Sequence, residues 1–134
     1  MSSPAKIMIV DDDPVLRMVA GEMLRQNGYE VCEAEDGEVA IRNLQTMTVD
    51  LVVVDMLMPN KEGIETIREI KERWPDTRLV AISGGGKGLK TGYLLSVAKT
   101  FGADAVYEKP LRASGFLDIV GEAMGARPVD RAAG

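Results

Sequence analysis

The chain has 134 residues, of which 46% are hydrophobic and 28% are charged, and its formal net charge is -5. This size and composition indicate one globular domain in a chain too short for two ordinary ones. The negative charge argues against nucleic-acid binding, which needs a basic surface facing the phosphates. Because the sequence contains no histidine, a histidine-based triad, a zinc site of ordinary type and a phosphohistidine carrier are excluded.

Membrane insertion and secretion are not expected either. No stretch is apolar for long enough to span a membrane, and residues 1–6 leave no room for a secretory signal. We therefore expect a cytoplasmic protein that does not contact a membrane. The single cysteine, Cys32, cannot form an internal disulfide, and its place in an apolar stretch predicts a small buried hydrophobe.

Strands and helices are predicted to alternate along the whole chain. The strands are expected at about 6–10, 29–34, 51–55, 78–82 and 105–107. Several of them are almost continuously apolar, which is typical of strands buried on both faces of a parallel sheet. The pattern therefore predicts an α/β domain built on an open, doubly wound sheet.

A helix is predicted after each strand. Asp13 is the expected N-cap of the first helix and Pro14 its first residue, and Asp36 with Gly37 opens the second. The fourth helix is expected at about 89–101. The positions that mark the other helices are Leu16, Val19, Ala20, Met23 and Leu24 in the first, Ala40, Leu44 and Met47 in the second, Ile64, Ile67, Lys71 and Trp74 in the third, and Phe116, Leu117, Val120 and Met124 in the last.

Polar residues follow four of the strands at the point where each strand ends. Asp11 and Asp12 follow the first strand and Asp55 ends the third, while Ser83 and Lys109 follow the fourth and fifth. In parallel α/β sheets ligands bind beyond the carboxyl ends of the strands, so we expect these side chains to meet at one edge.

The chemistry of this group is that of phosphoryl transfer. Two carboxylates 4 Å apart repel by roughly 4 kcal/mol at an effective dielectric constant near 20. A divalent cation with oxygen ligands removes that cost, and Mg²⁺ suits a site with few protein oxygens. Lys109 offers a positive charge and Ser83 a hydroxyl to phosphoryl oxygens. A nucleophile, metal ligands, a cation and a hydroxyl for an aspartyl phosphate are therefore present.

The chain resembles the receiver domains of two-component response regulators, in particular the single-domain, chemotaxis-type members. The resemblance covers about residues 6–124. The residues that carry it are Ile9-Val10-Asp11-Asp12-Asp13, Val54-Asp55-Met56-Leu57-Met58-Pro59 with Gly63, Ala81-Ile82-Ser83-Gly84, and Lys109-Pro110. It implies a flavodoxin-like receiver fold, a five-stranded parallel sheet in the order 2-1-3-4-5 with five helices.

The resemblance also implies a role for each site residue. Asp55 accepts a phosphoryl group from a histidine kinase or phosphotransfer protein. Asp12, Asp55 and the backbone carbonyl of Leu57 coordinate Mg²⁺, and Asp11 holds the metal through water. Lys109 and Ser83 bind phosphoryl oxygens.

A switch of this kind assists its own phosphorylation and dephosphorylation and is not an ordinary enzyme. It signals through an unknown downstream protein or by phosphorelay, as a monomer or a phosphorylation-dependent dimer. We expect residues 4–126 to form the receiver domain and residues 127–134 a flexible tail.

Two features of the sequence differ from the usual family pattern. The position three residues before the lysine, usually aromatic, is Val106, and the aromatic residue is Tyr107. Since strand side chains alternate between faces, Tyr107 is expected on the opposite face from the usual one. The segment between Ser83 and Lys109 is also long, and the surplus coincides with the glycine-rich stretch 84–88, which does not fit a phosphate-binding loop.

The same residues are compatible with two other functions. The first is a phosphorylation-independent binding module, in which the acids and Lys109 form a static network. The second is a Mg²⁺-dependent phosphatase with an aspartyl intermediate. Such enzymes usually place a second acid near the nucleophile, whereas Met56 and Leu57 follow Asp55 here. Asp13 is expected to be a helix cap and no more.

Overall fold

The computed structural model describes residues 4–56, 62–84, 93 and 96–125. Its strands form one five-stranded sheet with the order β2-β1-β3-β4-β5, in which every neighbouring pair is parallel. The strands are β1 (Lys6–Val10), β2 (Glu30–Ala34), β3 (Leu51–Asp55), β4 (Arg78–Ser83) and β5 (Ala105–Glu108). The predicted doubly wound sheet and its strand order are confirmed.

Five helices connect and cover these strands. They are α1 (Pro14–Gln26), α2 (Gly37–Leu44), α3 (Glu62–Arg73), a helical stretch at residues 96–100 that we label α4, and α5 (Ala113–Met124). The predicted N-cap of α1 is confirmed, because Asp13 accepts a hydrogen bond from Val15 N at 2.9 Å. Asp36, which is predicted to open α2, is its N-cap and accepts a hydrogen bond from Val39 N at 2.9 Å. Met47 and Trp74 lie just beyond the ends of α2 and α3, although both still pack against the core.

Strand alternation divides the apolar side chains into two cores, one on each face of the sheet. The first, which we call the α2/α3 core, lies under α2, α3 and α4 and includes Val54, Ile67 and Ala98. The second, the α1/α5 core, includes Val53 and Phe116. All five residues of β3 are buried, so the centre of the sheet supports the strand ends that carry the predicted site.

The buried faces of two helices differ from the prediction. In α1 the buried residues are Ala20, Gly21 and Leu24, while Val19 is 40% exposed. Apolar residues cover more of the surface of this helix than the sheet can contact. Periodicity alone therefore predicts a buried face that is wider than the one observed. In α5 the buried residues are Phe116, Val120 and Ala123, and Leu117 and Met124 are only partly buried.

Some predictions lie outside the described residues, namely the carbonyl of Leu57, the glycine stretch beyond Gly84, the start of the fourth helix and the tail at 127–134. Cys32 is half-buried and packs beside Met47, with the two sulfur atoms 3.9 Å apart. Across the described ranges, none of the helices combines the length and the apolar character that crossing a membrane requires.

Candidate functional site

Three carboxylates meet at the carboxyl edge of the sheet. Val10 of β1 and Val54 of β3 are partners in the parallel register, so the next residues, Asp11 and Asp55, leave the two strands side by side. One carboxylate oxygen from each of Asp11, Asp12 and Asp55 lies within 4.8 Å of the others. Asp11 and Asp55 are buried, whereas Asp12 is exposed. The prediction that these acids converge is correct.

Asp11 lies in an unfavourable environment for a charged carboxylate. Its Oδ1 accepts a hydrogen bond from Asp13 N at 2.9 Å, but its buried Oδ2 has no hydrogen-bond partner among the described residues. Burial, opposed by the Asp13 N–H and reinforced by the charge of Asp55, raises the pKa of Asp11 from 3.8 to about 7. A cation at this edge would relieve that cost.

Lys109 brings a positive charge to the cluster. Its Nζ donates a hydrogen bond to Asp55 Oδ2 at 3.2 Å and lies 3.8 Å from Asp11 Oδ2. The backbone N–H of Lys109 donates to the Ser83 carbonyl at 2.7 Å, which fixes the residue against β4. Gly84 makes this approach possible, because a Cβ there would lie 2.5 Å from Lys109 Cβ.

Ser83 is buried at the end of β4, beside Glu108 in the register. Its hydroxyl has no hydrogen-bond partner in the described part of the chain. Buried hydroxyls are nearly always paired, because leaving one unpaired costs about 1–3 kcal/mol. The Ser83 hydroxyl is therefore suited to donate to an oxygen of a ligand bound at this edge.

Arg17 is a component of the site that the sequence did not indicate. From the first turns of α1 its Nη1 donates to the Asp11 carbonyl at 2.6 Å, and its Nε donates to Glu33 at 2.9 Å. These bonds join the ends of β1 and β2 and hold the segment that carries Asp12. The only feature of the sequence that points to this role is the position of Arg17, four residues after Asp13. That position is not distinctive, because cationic residues are common there.

Val106 and Tyr107 lie on opposite faces of β5, as strand alternation predicts. Val106 packs against the α2/α3 core. Tyr107 packs against the α1/α5 core, where its ring meets that of Phe116 edge-on with centroids 5.9 Å apart. No aromatic side chain of β5 therefore lies on the α2/α3 side.

The residues of the acidic cluster fit a hard divalent cation. All the donors are carboxylate oxygens, the ligand type that Mg²⁺ prefers. The Asp11 Oδ2 atom without a hydrogen-bond partner and the mutual repulsion of the three acids both favour a cation. Asp12, being exposed, leaves the cluster accessible from solvent.

Comparisons with known proteins agree with this geometry. Residues 7–120 match the family model described as the response regulator receiver domain. The chemotaxis protein CheY of Bacillus subtilis is 34% identical over 110 residues, which are 77% of this chain and 92% of that protein. The transcriptional regulatory protein PdtaR of Mycobacterium tuberculosis is 33% identical over 120 residues, which are 87% of this chain and 55% of that protein.

The chain thus spans nearly all of the first relative and about half of the second. Among solved structures, a response regulator from Thermotoga maritima superimposes with a TM-score of 0.81 at 25% identity. That superposition covers 91% of this chain and 98% of the other.

Proposed function

The chain belongs to the response regulator receiver family, and we propose that Asp55 is its phosphoacceptor in a Mg²⁺-dependent reaction. The observation that carries this proposal is the position of Asp55. Its carboxylate lies 3.2 Å from the Lys109 ammonium, within the cluster formed by Asp11 and Asp12. A nucleophile, a fixed cation and a set of oxygen ligands thus share one edge of the sheet.

The proposed step is transfer from a phosphohistidine of a histidine kinase or phosphotransfer protein. One Asp55 oxygen attacks phosphorus, the phosphorus–nitrogen bond breaks, and its electron pair remains on the imidazole of the donor. Asp55 becomes an acyl phosphate. The Lys109 ammonium, already beside Asp55, pairs with a phosphoryl oxygen, and the Ser83 hydroxyl donates to another.

The metal ligands in this proposal are Asp12 and Asp55, with Asp11 acting through water and the Leu57 carbonyl as a further ligand. When bound, Mg²⁺ would neutralise the negative charge shared by the carboxylates and the incoming phosphoryl group. Arg17 holds the Asp11 carbonyl and so keeps the neighbouring Asp12 within reach of the cluster.

The output proposed for the phosphorylated domain, residues 4–126, is contact with a downstream protein or transfer of the phosphoryl group to another carrier. This fits a chain with a net charge of -5, which disfavours nucleic acid as the direct partner. We propose a cytoplasmic monomer or a dimer that depends on phosphorylation.

The competing proposal is a phosphorylation-independent binding module. A static network of Lys109 with the acids would account for the observed ion pairs. It would not account for the buried Ser83 hydroxyl, which has no hydrogen-bond partner in the described chain. A phosphoryl oxygen satisfies that group, so this observation favours the phosphoacceptor.

The test is the intact mass of the protein after incubation with acetyl phosphate and Mg²⁺. We expect one base-labile phosphoryl adduct on the wild type and none on Asp55→Asn. Asp76→Asn is the matched control, because Asp76 is exposed in the turn before β4, at the other edge of the sheet, and it should carry the adduct. An adduct on Asp55→Asn would contradict the assignment. An unmodified wild type, under conditions that phosphorylate a control receiver, would favour the binding module.

A further inference from the structure

The Tyr107 hydroxyl ties together the loop that joins β5 to α5. It donates a hydrogen bond to the Pro110 carbonyl at 3.2 Å and accepts one from Arg112 N at 3.2 Å. Its ring packs edge-on against Phe116 in the α1/α5 core. One side chain therefore connects a strand end, the following loop and the first residues of a helix.

The contact with Arg112 supports the start of α5. Arg112 is the N-cap of this helix but makes no side-chain capping bond, and the first N–H groups of a helix have no partner within it. Gly115, in the first turn, leaves space for the hydroxyl, since a Cβ there would lie 3.1 Å from it. The phenol of Tyr107 thus fits against the backbone of the helix start.

Lys109 lies inside the segment that these bonds enclose. On one side its N–H is bonded to the Ser83 carbonyl. On the other side, the next residue, Pro110, is held by the Tyr107 hydroxyl. The backbone of Lys109 is therefore fixed between β4 and the Tyr107 contact, and its ammonium reaches Asp55 from this anchored position.

We propose that Tyr107 is a positioning residue for Lys109, which acts by holding the β5–α5 loop so that the ammonium is directed at the oxygen atoms bound on Asp55. The inference rests on the proposed function, because it concerns the same phosphoryl site. Groups that stabilise a phosphoryl group during its transfer depend on accurate positioning, and a displacement of about 1 Å can lower the rate strongly. Removing the hydroxyl alone should therefore weaken phosphoryl binding without removing any group of the site.

The experiment compares Tyr107→Phe, Lys109→Ala and the double variant. The readouts are the rate of adduct formation from acetyl phosphate and the affinity for beryllium trifluoride, a phosphoryl mimic, in the presence of Mg²⁺. Tyr107→Phe keeps the ring and its contact with Phe116. We expect it to lower both quantities by roughly three- to tenfold while the affinity for Mg²⁺ stays near the wild-type value, and the loss of two hydrogen bonds should lower the thermal midpoint only slightly.

The double variant separates positioning from a general structural role. If Tyr107 acts through Lys109, the Tyr107→Phe change has no further effect once Lys109 is alanine. Tyr29→Phe is the matched control, because it removes the same atom from a residue of the same α1/α5 core just before β2, away from the site. It should retain the wild-type rate.

Two results would overturn the inference alone. They are a wild-type rate in Tyr107→Phe, and an equal loss in the presence and absence of the Lys109 side chain, in each case with the wild type forming its adduct. Absence of an adduct on the wild type would overturn the proposed function, and the inference with it.

Discussion

Asp11 is a carboxyl group kept away from solvent, and its environment makes the stability of the metal-free protein depend on pH. Its pKa rises from 3.8 to about 7 on folding, chiefly because of burial. Between these values the folded protein retains a proton that the unfolded chain has lost. Asp11 therefore lowers the free energy of unfolding by about 1.4 kcal/mol for each pH unit gained, and its contribution levels off above the folded pKa.

This dependence is measurable by urea unfolding without Mg²⁺ between about pH 4 and pH 7. Asp11→Asn resembles the protonated side chain in shape and does not titrate, so we expect its unfolding free energy to fall less with pH than that of the wild type. Asp118→Asn, at an exposed position on α5, should follow the wild type. Parallel curves for wild type and Asp11→Asn would show that Asp11 is not the group responsible.

Individual residues also show how far the sequence predicts the site. Asp11, Asp55, Ser83 and Lys109 were predictable, because each follows a recognisable strand and parallel strands end at one edge. The contact of Arg17 with the Asp11 carbonyl could not be predicted, because it depends on how far one long side chain reaches from a helix to a strand end.

At the level of elements, the ends of β4 and β5 approach each other so closely that Gly84, directly after β4, has no room for a side chain beside Lys109. A Cβ there would lie 2.5 Å from Lys109 Cβ and 3.2 Å from its Cα. We expect Gly84→Ala to displace the β5–α5 loop, to destabilise the fold by about 1–3 kcal/mol and to slow formation of the Asp55 adduct.

The matched control for this prediction is Gly121→Ala in α5. Nothing lies within 4 Å of a Cβ at this exposed helical position, so alanine should stabilise the protein by up to about 1 kcal/mol through helix propensity. Urea unfolding and adduct formation are measured on both variants. A Gly84→Ala protein as stable and as readily phosphorylated as the wild type would show that the close approach of Gly84 to Lys109 is not required.

The elements differ in how well the sequence predicts them, for a physical reason. β1, β3 and β4 are buried on both faces, so their runs of apolar residues are sufficient to predict them as strands. α1 contacts the sheet along a narrow stripe, and Val15 and Met18 are 59% and 60% exposed. Periodicity cannot select that stripe when apolar residues also occupy the solvent side.

Across the whole molecule, the proposed function conflicts with stability at the carboxyl edge of the sheet, because the acids that the function requires repel each other in the folded protein. The sheet is held from both faces by two apolar cores, and these support the convergence of Asp11, Asp12 and Asp55. A chain with a net charge of -5 gathers three of its acids within one small volume, where they repel. Metal binding should therefore stabilise the fold as a whole.

We accordingly expect Mg²⁺ to raise the thermal midpoint of the wild type. A ligand that binds only the folded protein adds about 2.7 kcal/mol of stability at a concentration one hundred times its dissociation constant. Asp12→Ala removes an exposed carboxylate of the cluster, a proposed metal ligand, at little cost to the core, so the midpoint of this variant should rise much less. The measurement is a thermal scan at increasing MgCl₂ and constant ionic strength. Asp118→Ala, which removes an exposed acid in the middle of α5, should retain the full shift, so a reduced response in Asp12→Ala cannot be attributed to overall charge. Equal shifts in the wild type and Asp12→Ala would place the metal outside the cluster.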